Sequence, residues 1–137
     1  MIAAVAIDTN AYSGFRRGLA PMVAVLRHVP RIVVPLVVAA ELLAGFEAGA
    51  RAARNREEFS TFLGSRRVVL DQPDLGTAEA YARVYAGLRK RGTPIPTNDL
   101  WVAATAIRLK LPLVTLDGHF AKVEGLRVAA SLEALLA

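Results

Sequence analysis

Four carboxylates are the candidates for chemistry in this sequence of 137 residues. Asp8 and Asp117 each follow an apolar run that is typical of a buried β-strand, and Asp99 lies in the first turn of a predicted helix. Ligands of an open parallel sheet bind beyond the carboxyl ends of its strands, so we expect these three acids to share one rim of the sheet. Glu41 is surrounded by apolar residues, where an unpaired charge is costly.

Each of these acids also has a structural interpretation. Asp8 and Asp99 stand where an aspartate stabilises the start of a helix, by capping it or by complementing its dipole. Asp117 precedes Gly118 and would be an ordinary turn residue. Glu41 could face solvent on a half-exposed helix or pair with a buried arginine. Taken singly, none of the four identifies a site.

As a set, the four acids predict a divalent cation. Like charges at close range repel one another and raise each other's pKa, and a shared cation removes that cost. The chain has no cysteine and two histidines, so the expected oxygen ligands favour Mg²⁺ or Mn²⁺ over zinc. Such an ion lowers the pKa of a bound water, which can then attack a phosphodiester. The set therefore predicts metal-dependent phosphodiester cleavage without a covalent intermediate.

The charge of the chain fits a polyanionic partner. The sequence carries 17 Lys and Arg against 12 Asp and Glu, a net charge of +5. Arg89, Lys90 and Arg91 end the predicted helix before Asp99, where they could hold the phosphate backbone of such a partner. Cations also complement the C-terminus of a helix, and an arginine-rich composition is equally explained by a GC-rich genome. Charge alone therefore decides nothing.

The elements that must position these residues alternate along the chain. Strand patterns cover residues 4–8, 31–34, 67–70, 113–116 and 126–129. Helix patterns cover residues 10–17, 21–28, 36–48, 51–63, 78–90 and 98–110, and Ser131 caps a last helix. Without a linker or a repeat, this alternation predicts one α/β domain over residues 1–137, with a central, mostly parallel sheet of about five strands flanked by helices.

Composition excludes several classes of protein. With 54% hydrophobic and 21% charged residues, the chain is not intrinsically disordered. The absence of cysteine excludes disulfide scaffolds, thiolate zinc sites and cysteine nucleophiles, and it agrees with a reducing compartment. No segment has the pattern of a signal peptide or the roughly 20 apolar residues that span a bilayer. We therefore expect a cytoplasmic protein that does not enter a membrane.

Short motifs in a fixed order carry a resemblance that spans nearly the whole chain. They are Ile7, Asp8, Thr9 and Asn10; Glu41, Leu42 and Gly45; Asn98, Asp99, Val102, Ala103 and Ala104; Leu113, Val114, Thr115, Asp117 and Phe120; and Gly125, Leu126 and Val128. As a set they resemble the PIN domain family, and specifically the VapC type of toxin ribonuclease from bacterial and archaeal toxin–antitoxin pairs.

The resemblance implies a site and an activity. The catalytic metal ligands would be Asp8, Glu41, Asp99 and Asp117, with Asn10 and Thr115 as neighbours that hydrogen-bond carboxylates or water. The activity would be endonucleolytic cleavage of RNA, such as tRNA or rRNA, by a metal-activated water that leaves a 5′-phosphate. The resemblance also implies a homodimer and a VapB-type antitoxin whose C-terminal segment reaches the site.

Two other hypotheses remain open at the level of sequence. A non-catalytic PIN-like module would bind RNA or a protein partner without needing all four acids. A magnesium phosphatase or a receiver domain also places acids at strand ends. However, Asn10 stands where the phosphatase motif needs a second aspartate, and residues 127–130 hold no lysine of the kind that a receiver domain needs after its last strand.

Two further side chains receive structural interpretations. His119 lies close to Asp117 in sequence, and we expect it to be a hydrogen-bonded turn residue rather than a general base. Trp101 lies off the apolar stripe of its predicted helix, which is formed by Leu100, Ala103, Ala104, Ile107 and Leu111. We expect it to pack within the protein, with stacking on a nucleic-acid base as the alternative.

Overall fold

Five parallel strands form the central sheet of the computed structural model, which describes residues 2–137. The strands are β1 (Ala4–Ile7), β2 (Arg31–Pro35), β3 (Val68–Asp71), β4 (Leu113–Val114) and β5 (Val128–Ala129). Their order across the sheet is β3-β2-β1-β4-β5, and every neighbouring pair is parallel. The predicted α/β architecture with a parallel sheet is therefore confirmed.

The direction in which strands are added to the sheet reverses at β1. The chain runs outward from β1 through β2 to β3, and then returns to the other side of β1 to form β4 and β5. Such a switch point leaves a crevice at the carboxyl ends of the strands on either side of it. Here the crevice lies where β1 and β4 end, immediately before Asp8 and Thr115.

Helices connect and flank the strands. They are α1 (Thr9–Arg16), α2 (Ala20–His28), α3 (Leu36–Ala48), α4 (Ala52–Leu63), α5 (Leu75–Lys90), α6 (Thr97–Leu109) and α7 (Leu132–Leu136). A 3₁₀ segment (Gly118–Lys122) follows β4. Within residues 2–137, no helix is both long and apolar enough to cross a membrane.

Side-chain caps begin several of these segments. A side-chain oxygen accepts a hydrogen bond from a backbone N–H at the start of α1, α5, the 3₁₀ segment and α7; the residues are Asp8, Asp74, Asp117 and Ser131. Asp74 also forms a capping box with Thr77, so α5 begins at Leu75 rather than at the predicted residue 78. Ser131 caps the last helix as predicted.

The core is one cluster of apolar side chains that extends from Val5 in β1 to Leu135 in α7. α6 buries three residues of its predicted apolar stripe and also Val102, because the helix packs against both α5 and α3, whereas Ile107 and Leu111 of that stripe are half-buried. This packing places the N-terminus of α6, which carries Asp99, near α3, which carries Glu41.

Candidate active site

Asp8 is the buried acid of the candidate site. It follows the last residue of β1, caps α1 and is 5% exposed. Its Oδ1 accepts a hydrogen bond from the backbone N–H of Thr9 at 2.8 Å, and its Oδ2 accepts one from the hydroxyl of Thr115 at 2.8 Å. Both carboxylate oxygens are therefore held in fixed directions at the switch point of the sheet.

Glu41 lies on α3 and contacts residues at the starts of α1 and α6. Its Oε1 accepts a hydrogen bond from the hydroxyl of Thr9 at 2.7 Å, and its Oε2 accepts one from the side-chain amide of Asn98 at 3.3 Å. The half-buried carboxylate is thus held by a hydroxyl and an amide rather than by a buried arginine, which was one of its two structural interpretations. These bonds connect Glu41 to the helices that begin next to Asp8 and Asp99.

Asp99 and Asp117 meet around the imidazole of His119. The Nδ1 atom of His119 lies 3.0 Å from Oδ2 of Asp99 and 3.2 Å from Oδ1 of Asp117. One possible ligand atom from each of the three residues lies within 4.8 Å of the other two. Asp99 is in the first turn of α6 and Asp117 caps the 3₁₀ segment, so the packing of these two elements creates the cluster.

Thr115 and Asn10 hold the loop after β4 against the start of α1. The buried hydroxyl of Thr115, which donates to the carboxylate at the end of β1, also accepts a hydrogen bond from the backbone N–H of Asp117 at 3.0 Å. The side-chain oxygen of Asn10 accepts a hydrogen bond from the backbone N–H of Leu116 at 2.9 Å. These contacts turn the chain away from the sheet, so β4 is shorter than the predicted strand 113–116.

The acids influence one another electrostatically. Burial raises the pKa of Asp8 above its usual range, and the negative charges of Asp99 and Glu41 add to that rise. Burial likewise raises the pKa of Asp99, and the charges of Asp117 and Glu41 again add to it. Hydrogen bonds, including that between Asp99 and His119, act in the opposite direction. The four acids therefore share one region of unfavourable negative charge.

The chemistry of these donors suits a hard divalent ion. In the part of the chain that the structure describes, no Arg or Lys forms an ion pair with any of the four acids. Burial and, to a smaller extent, mutual repulsion raise the pKa values of Asp8 and Asp99, and a divalent cation would offset the cost of that repulsion. Carboxylate oxygens are the ligands that Mg²⁺ and Mn²⁺ prefer. The residues present thus fit such an ion.

The three basic residues predicted to contact RNA lie at the C-terminal end of α5, outside the acid cluster. Arg89 donates a hydrogen bond to the hydroxyl of Tyr85 at 2.9 Å, and Lys90 is exposed. Arg91 donates to a backbone carbonyl of the 3₁₀ segment at 2.7 Å and pairs with the carboxylate of Glu124 at 3.2 Å. Within residues 2–137, Arg91 therefore forms an ion pair with a carboxylate, whereas Arg89 and Lys90 form none.

Trp101 packs between helices, in agreement with its expected structural role. Its ring is half-buried and lies against Tyr81 of α5, with ring centroids 4.5 Å apart. Tyr81 in turn stacks on Tyr85, with centroids 6.4 Å apart. These contacts join α6 to α5.

The position of His119 among the acids is the feature that the sequence did not indicate. Its backbone N–H donates to Oδ1 of Asp117 at 2.9 Å, as a turn residue would. Its side chain, however, also reaches Asp99, which is 20 positions away in the sequence. That approach depends on the packing of α6 against the 3₁₀ segment, for which spacing gives no signal. The available hint was a rare histidine close to a predicted ligand.

Comparisons with known proteins show the family to which the chain belongs. Residues 1–126 match the family model described as PIN domain. Ribonuclease VapC5 of Mycobacterium tuberculosis is 31% identical to this chain, over 96% of the chain and 93% of that protein. The crystal structure of VapBC-5 from the same organism, a member of the VapBC family of toxin–antitoxin systems, matches with 29% identity and a TM-score of 0.70, over 93% of this chain and 96% of that one. VapBC2 from Rickettsia felis, solved with a promoter DNA fragment, shares the fold, with a TM-score of 0.83 at 22% identity over 92% of this chain and 97% of that one. The chain therefore belongs to the PIN domain family and, within it, to the VapC type.

Proposed function

We propose that this chain is a metal-dependent endoribonuclease and the toxin of a type II VapBC toxin–antitoxin pair. The observation that carries the proposal is the grouping of four acids at the switch point of the sheet without an Arg or Lys partner in residues 2–137; they are Asp8, Glu41, Asp99 and Asp117. The name of the relative VapC5, a ribonuclease, supports the reaction class. The solved VapBC complexes support an antitoxin as the partner.

The four acids are the residues that would hold Mg²⁺ or Mn²⁺. Asp99 and Asp117 offer ligand atoms within 4.8 Å of each other, and Asp8 and Glu41 lie near enough to raise the pKa of a neighbouring acid. When bound, such an ion lowers the pKa of a water molecule for attack on the phosphodiester and offsets charge on the phosphate. We propose that this reaction proceeds without a covalent intermediate.

Thr9 and Thr115 prepare the acids for this task. The backbone N–H of Thr9 donates to Asp8, while its hydroxyl donates to Glu41. Thr115 holds the second oxygen of Asp8. Because these carboxylates are already restrained, little side-chain entropy remains to be lost when they bind a cation. These hydrogen bonds thus orient the carboxylates and also favour the binding of a cation to them.

Arg89 and Lys90 are the residues that we propose to contact the RNA backbone. Both are exposed at the end of α5, and residues 91–96 connect that end to the helix that carries Asp99. Arg91 contributes less, because its guanidinium already pairs with Glu124. Phosphate contacts of this kind position an RNA without reading its sequence. We propose a tRNA or an rRNA as the substrate.

The proposed assembly follows from the family. A VapB-type antitoxin would inhibit the enzyme by directing its C-terminal segment to the acids, and the toxin would act as a homodimer in the cytoplasm. Residues 1–137 are proposed to form a single domain, because one buried cluster joins Val5 near the start of the chain to Leu135 near its end.

Mapping of cleavage products tests the function. Purified protein is incubated with pooled tRNA and rRNA, with and without Mn²⁺, and new 5′ ends are mapped. We expect discrete cleavage with metal, no cleavage in EDTA, and none with the folded variant Asp99→Asn. Full cleavage in EDTA or by Asp99→Asn would contradict the proposal. RNA binding without cleavage under every metal condition would indicate a non-catalytic PIN-like module instead.

A further inference from the structure

We propose that His119 is a ligand of the divalent ion at this site and that its imidazole makes the site prefer Mn²⁺ to Mg²⁺. The inference deepens the nuclease function proposed above and rests on it. It gives a chemical role to a residue outside the four acids.

The positions of three donor atoms favour a shared ion. The Nδ1 atom of His119 lies 3.0 Å from Oδ2 of Asp99 and 3.2 Å from Oδ1 of Asp117. Two neighbouring ligands of an octahedral ion with bonds of about 2.1 Å are themselves about 3 Å apart. The nitrogen therefore already has the separation from both carboxylates that joint coordination requires.

A hydrogen bond alone explains this arrangement less completely. An imidazole protonated at Nδ1 has a single N–H there, which can serve both carboxylates only by sharing its proton in a bifurcated hydrogen bond. A cation among the three atoms would contact all of them at once. The side chain of His119 is 47% exposed, so an ion can reach the nitrogen from solvent.

The 3₁₀ segment holds His119 in this position. Its neighbour Phe120 is fully buried in the core, and Asp117 accepts a hydrogen bond from the backbone N–H of His119 at 2.9 Å. A buried residue on one side and a cap on the other fix the backbone that carries the imidazole. A ligand must be positioned by its supporting contacts, and these contacts provide that support.

An imidazole ligand changes the ion that the site favours. Mg²⁺ prefers oxygen ligands and gives up its waters reluctantly. Mn²⁺ accepts the same carboxylate oxygens but belongs to the first-row transition metals, which bind nitrogen donors as well. A site that adds one imidazole nitrogen to several carboxylates therefore discriminates in favour of Mn²⁺.

Spectroscopy of bound Mn²⁺ tests the ligand directly, because the chain contains two histidines. Electron spin echo modulation of tag-free protein loaded with Mn²⁺ should show coupling to an imidazole ¹⁴N. The coupling should be lost in His119→Asn, which replaces the imidazole with a short amide. It should persist in the matched control His28→Asn, at the exposed end of α2.

Titration calorimetry measures the preference between ions. The wild type and His28→Asn should bind Mn²⁺ more tightly than Mg²⁺. In His119→Asn the ratio of the two affinities should fall by about tenfold or more, the scale produced even by losing an outer partner of a metal ligand. Mg²⁺ binding should be largely kept, since the carboxylates remain. Melting temperatures without metal verify that each variant is folded.

The outcomes separate this inference from the nuclease function. If Mn²⁺ binds and drives RNA cleavage, but the ¹⁴N coupling is absent or the affinity ratio is unchanged in His119→Asn, the ligand role is wrong and the nuclease stands. If the wild type binds neither ion and behaves like Asp99→Asn, both proposals fail. Loss of the coupling together with a lowered ratio of Mn²⁺ to Mg²⁺ affinity supports the ligand role, and Mn²⁺-dependent RNA cleavage by the wild type supports the nuclease function.

Discussion

At the scale of single residues, Thr115 joins two of the candidate acids. Its hydroxyl donates to Asp8 and accepts the backbone N–H of Asp117. Thr115→Val keeps the volume of the side chain but removes both bonds and deprives a buried carboxylate of a donor. We expect RNA cleavage to fall by about 10- to 100-fold, as when a partner of a metal ligand is lost.

Single-turnover cleavage in Mn²⁺ measures this loss. Thr115→Ser keeps the hydroxyl and should retain most of the activity. The matched control Thr61→Val changes an exposed threonine of α4 and should cleave like the wild type. Unaltered cleavage by Thr115→Val would show that the hydroxyl does not position the site.

Asp99 offers a second test at this scale, through stability without metal. Burial and neighbouring negative charges raise the pKa of Asp99, so its ionised form is costly when no cation is present. We expect Asp99→Asn to raise the melting temperature in EDTA. Added Mn²⁺ should then stabilise the wild type far more than the variant, because binding to the native state shifts stability.

Differential scanning fluorimetry with and without Mn²⁺ provides the measurement. Glu57→Gln, at an exposed position of α4, is the control and should respond to Mn²⁺ as the wild type does. Equal Mn²⁺-induced shifts in the wild type and in Asp99→Asn would argue against a shared ion.

The sequence could propose the four acids as candidates because their type and their places in the predicted elements are visible in one dimension, and because the motifs around them resemble those of the PIN domain family. It could not supply the bonds that hold them. Glu41 is bonded to Thr9, 32 positions away, and to Asn98, 57 positions away. Such pairs exist only once the sheet order brings α1, α3 and α6 together, so the contacts of Glu41 and His119 had no signal in spacing.

At the scale of elements, the 3₁₀ segment depends on Phe120. Its ring is fully buried in the core. This burial anchors the segment and with it the backbone of the nearby residues Asp117 and His119. Phe120→Ala should destabilise the protein by about 3–5 kcal/mol, the usual cost of removing a buried phenyl ring. Phe120→Leu should cost clearly less. Urea denaturation of the metal-free variants measures both, and a loss below about 1 kcal/mol in Phe120→Ala would contradict this anchoring role.

The start of α5 gives a prediction about pH. The backbone N–H of Thr77 lowers the pKa of Asp74, and the charge of Arg108 adds to this. Because the folded-state pKa lies below the unfolded value, ionised Asp74 stabilises the fold above the usual pKa of aspartate. That contribution is lost as the pH falls through the lowered pKa.

Thermal denaturation from neutral to acidic pH tests whether the stabilisation by Asp74 decreases as the pH falls. Asp74→Ala should melt below the wild type at neutral pH, and the difference should shrink in acid. Asp74→Asn keeps a capping oxygen, so its melting temperature at neutral pH should lie between those of the wild type and Asp74→Ala. A difference that grows on acidification would be inconsistent with the cap.

Helix bounds were predictable where both ends carry local signals. Residues 36–48 were predicted and observed as α3, which has Pro35 before it and Gly49 after it. The predicted start of α5, residue 78, is three residues too late. The helix begins at Leu75 because the capping box between Asp74 and Thr77 starts it before the apolar pattern of the sequence becomes regular. β4 was predicted too long because an apolar run does not reveal that the backbone of Leu116 turns to Asn10.

At the scale of the whole molecule, alternating strand and helix patterns predicted a parallel sheet but not the order of its strands. The order places β1 in the middle, and this makes the end of β1 the switch point. The predicted elements linked Asp99 of α6 to that rim of the sheet, whereas they gave no position relative to it for Glu41 of α3. Strand order depends on how the helices pack against the sheet and against one another. This packing is a property of the three-dimensional core and is not visible in the sequence pattern.

Charge at this scale predicts how RNA binding responds to salt. The chain has a net charge of +5, and phosphate contacts release counterions when RNA binds. Arg89→Gln should weaken RNA binding and reduce the slope of log affinity against log salt by about 1. It should raise KM with little effect on kcat, since Arg89 lies outside the acid cluster.

Fluorescence anisotropy with labelled RNA over a salt series measures that slope, using Asp99→Asn background protein to prevent cleavage. The matched control is Arg31→Gln, because Arg31 is exposed at the opposite end of the sheet, where β2 begins. Identical slopes for Arg89→Gln and Arg31→Gln would show that Arg89 at the end of α5 does not contact the RNA backbone.

The most direct measurement of the central claim is a crystal structure of the protein soaked in Mn²⁺, with anomalous diffraction used to locate the ion. The account predicts an anomalous peak within bonding distance of Asp99 and Asp117 and adjacent to Asp8 and Glu41. A peak found only elsewhere, or none among these carboxylates at saturating Mn²⁺, would contradict it.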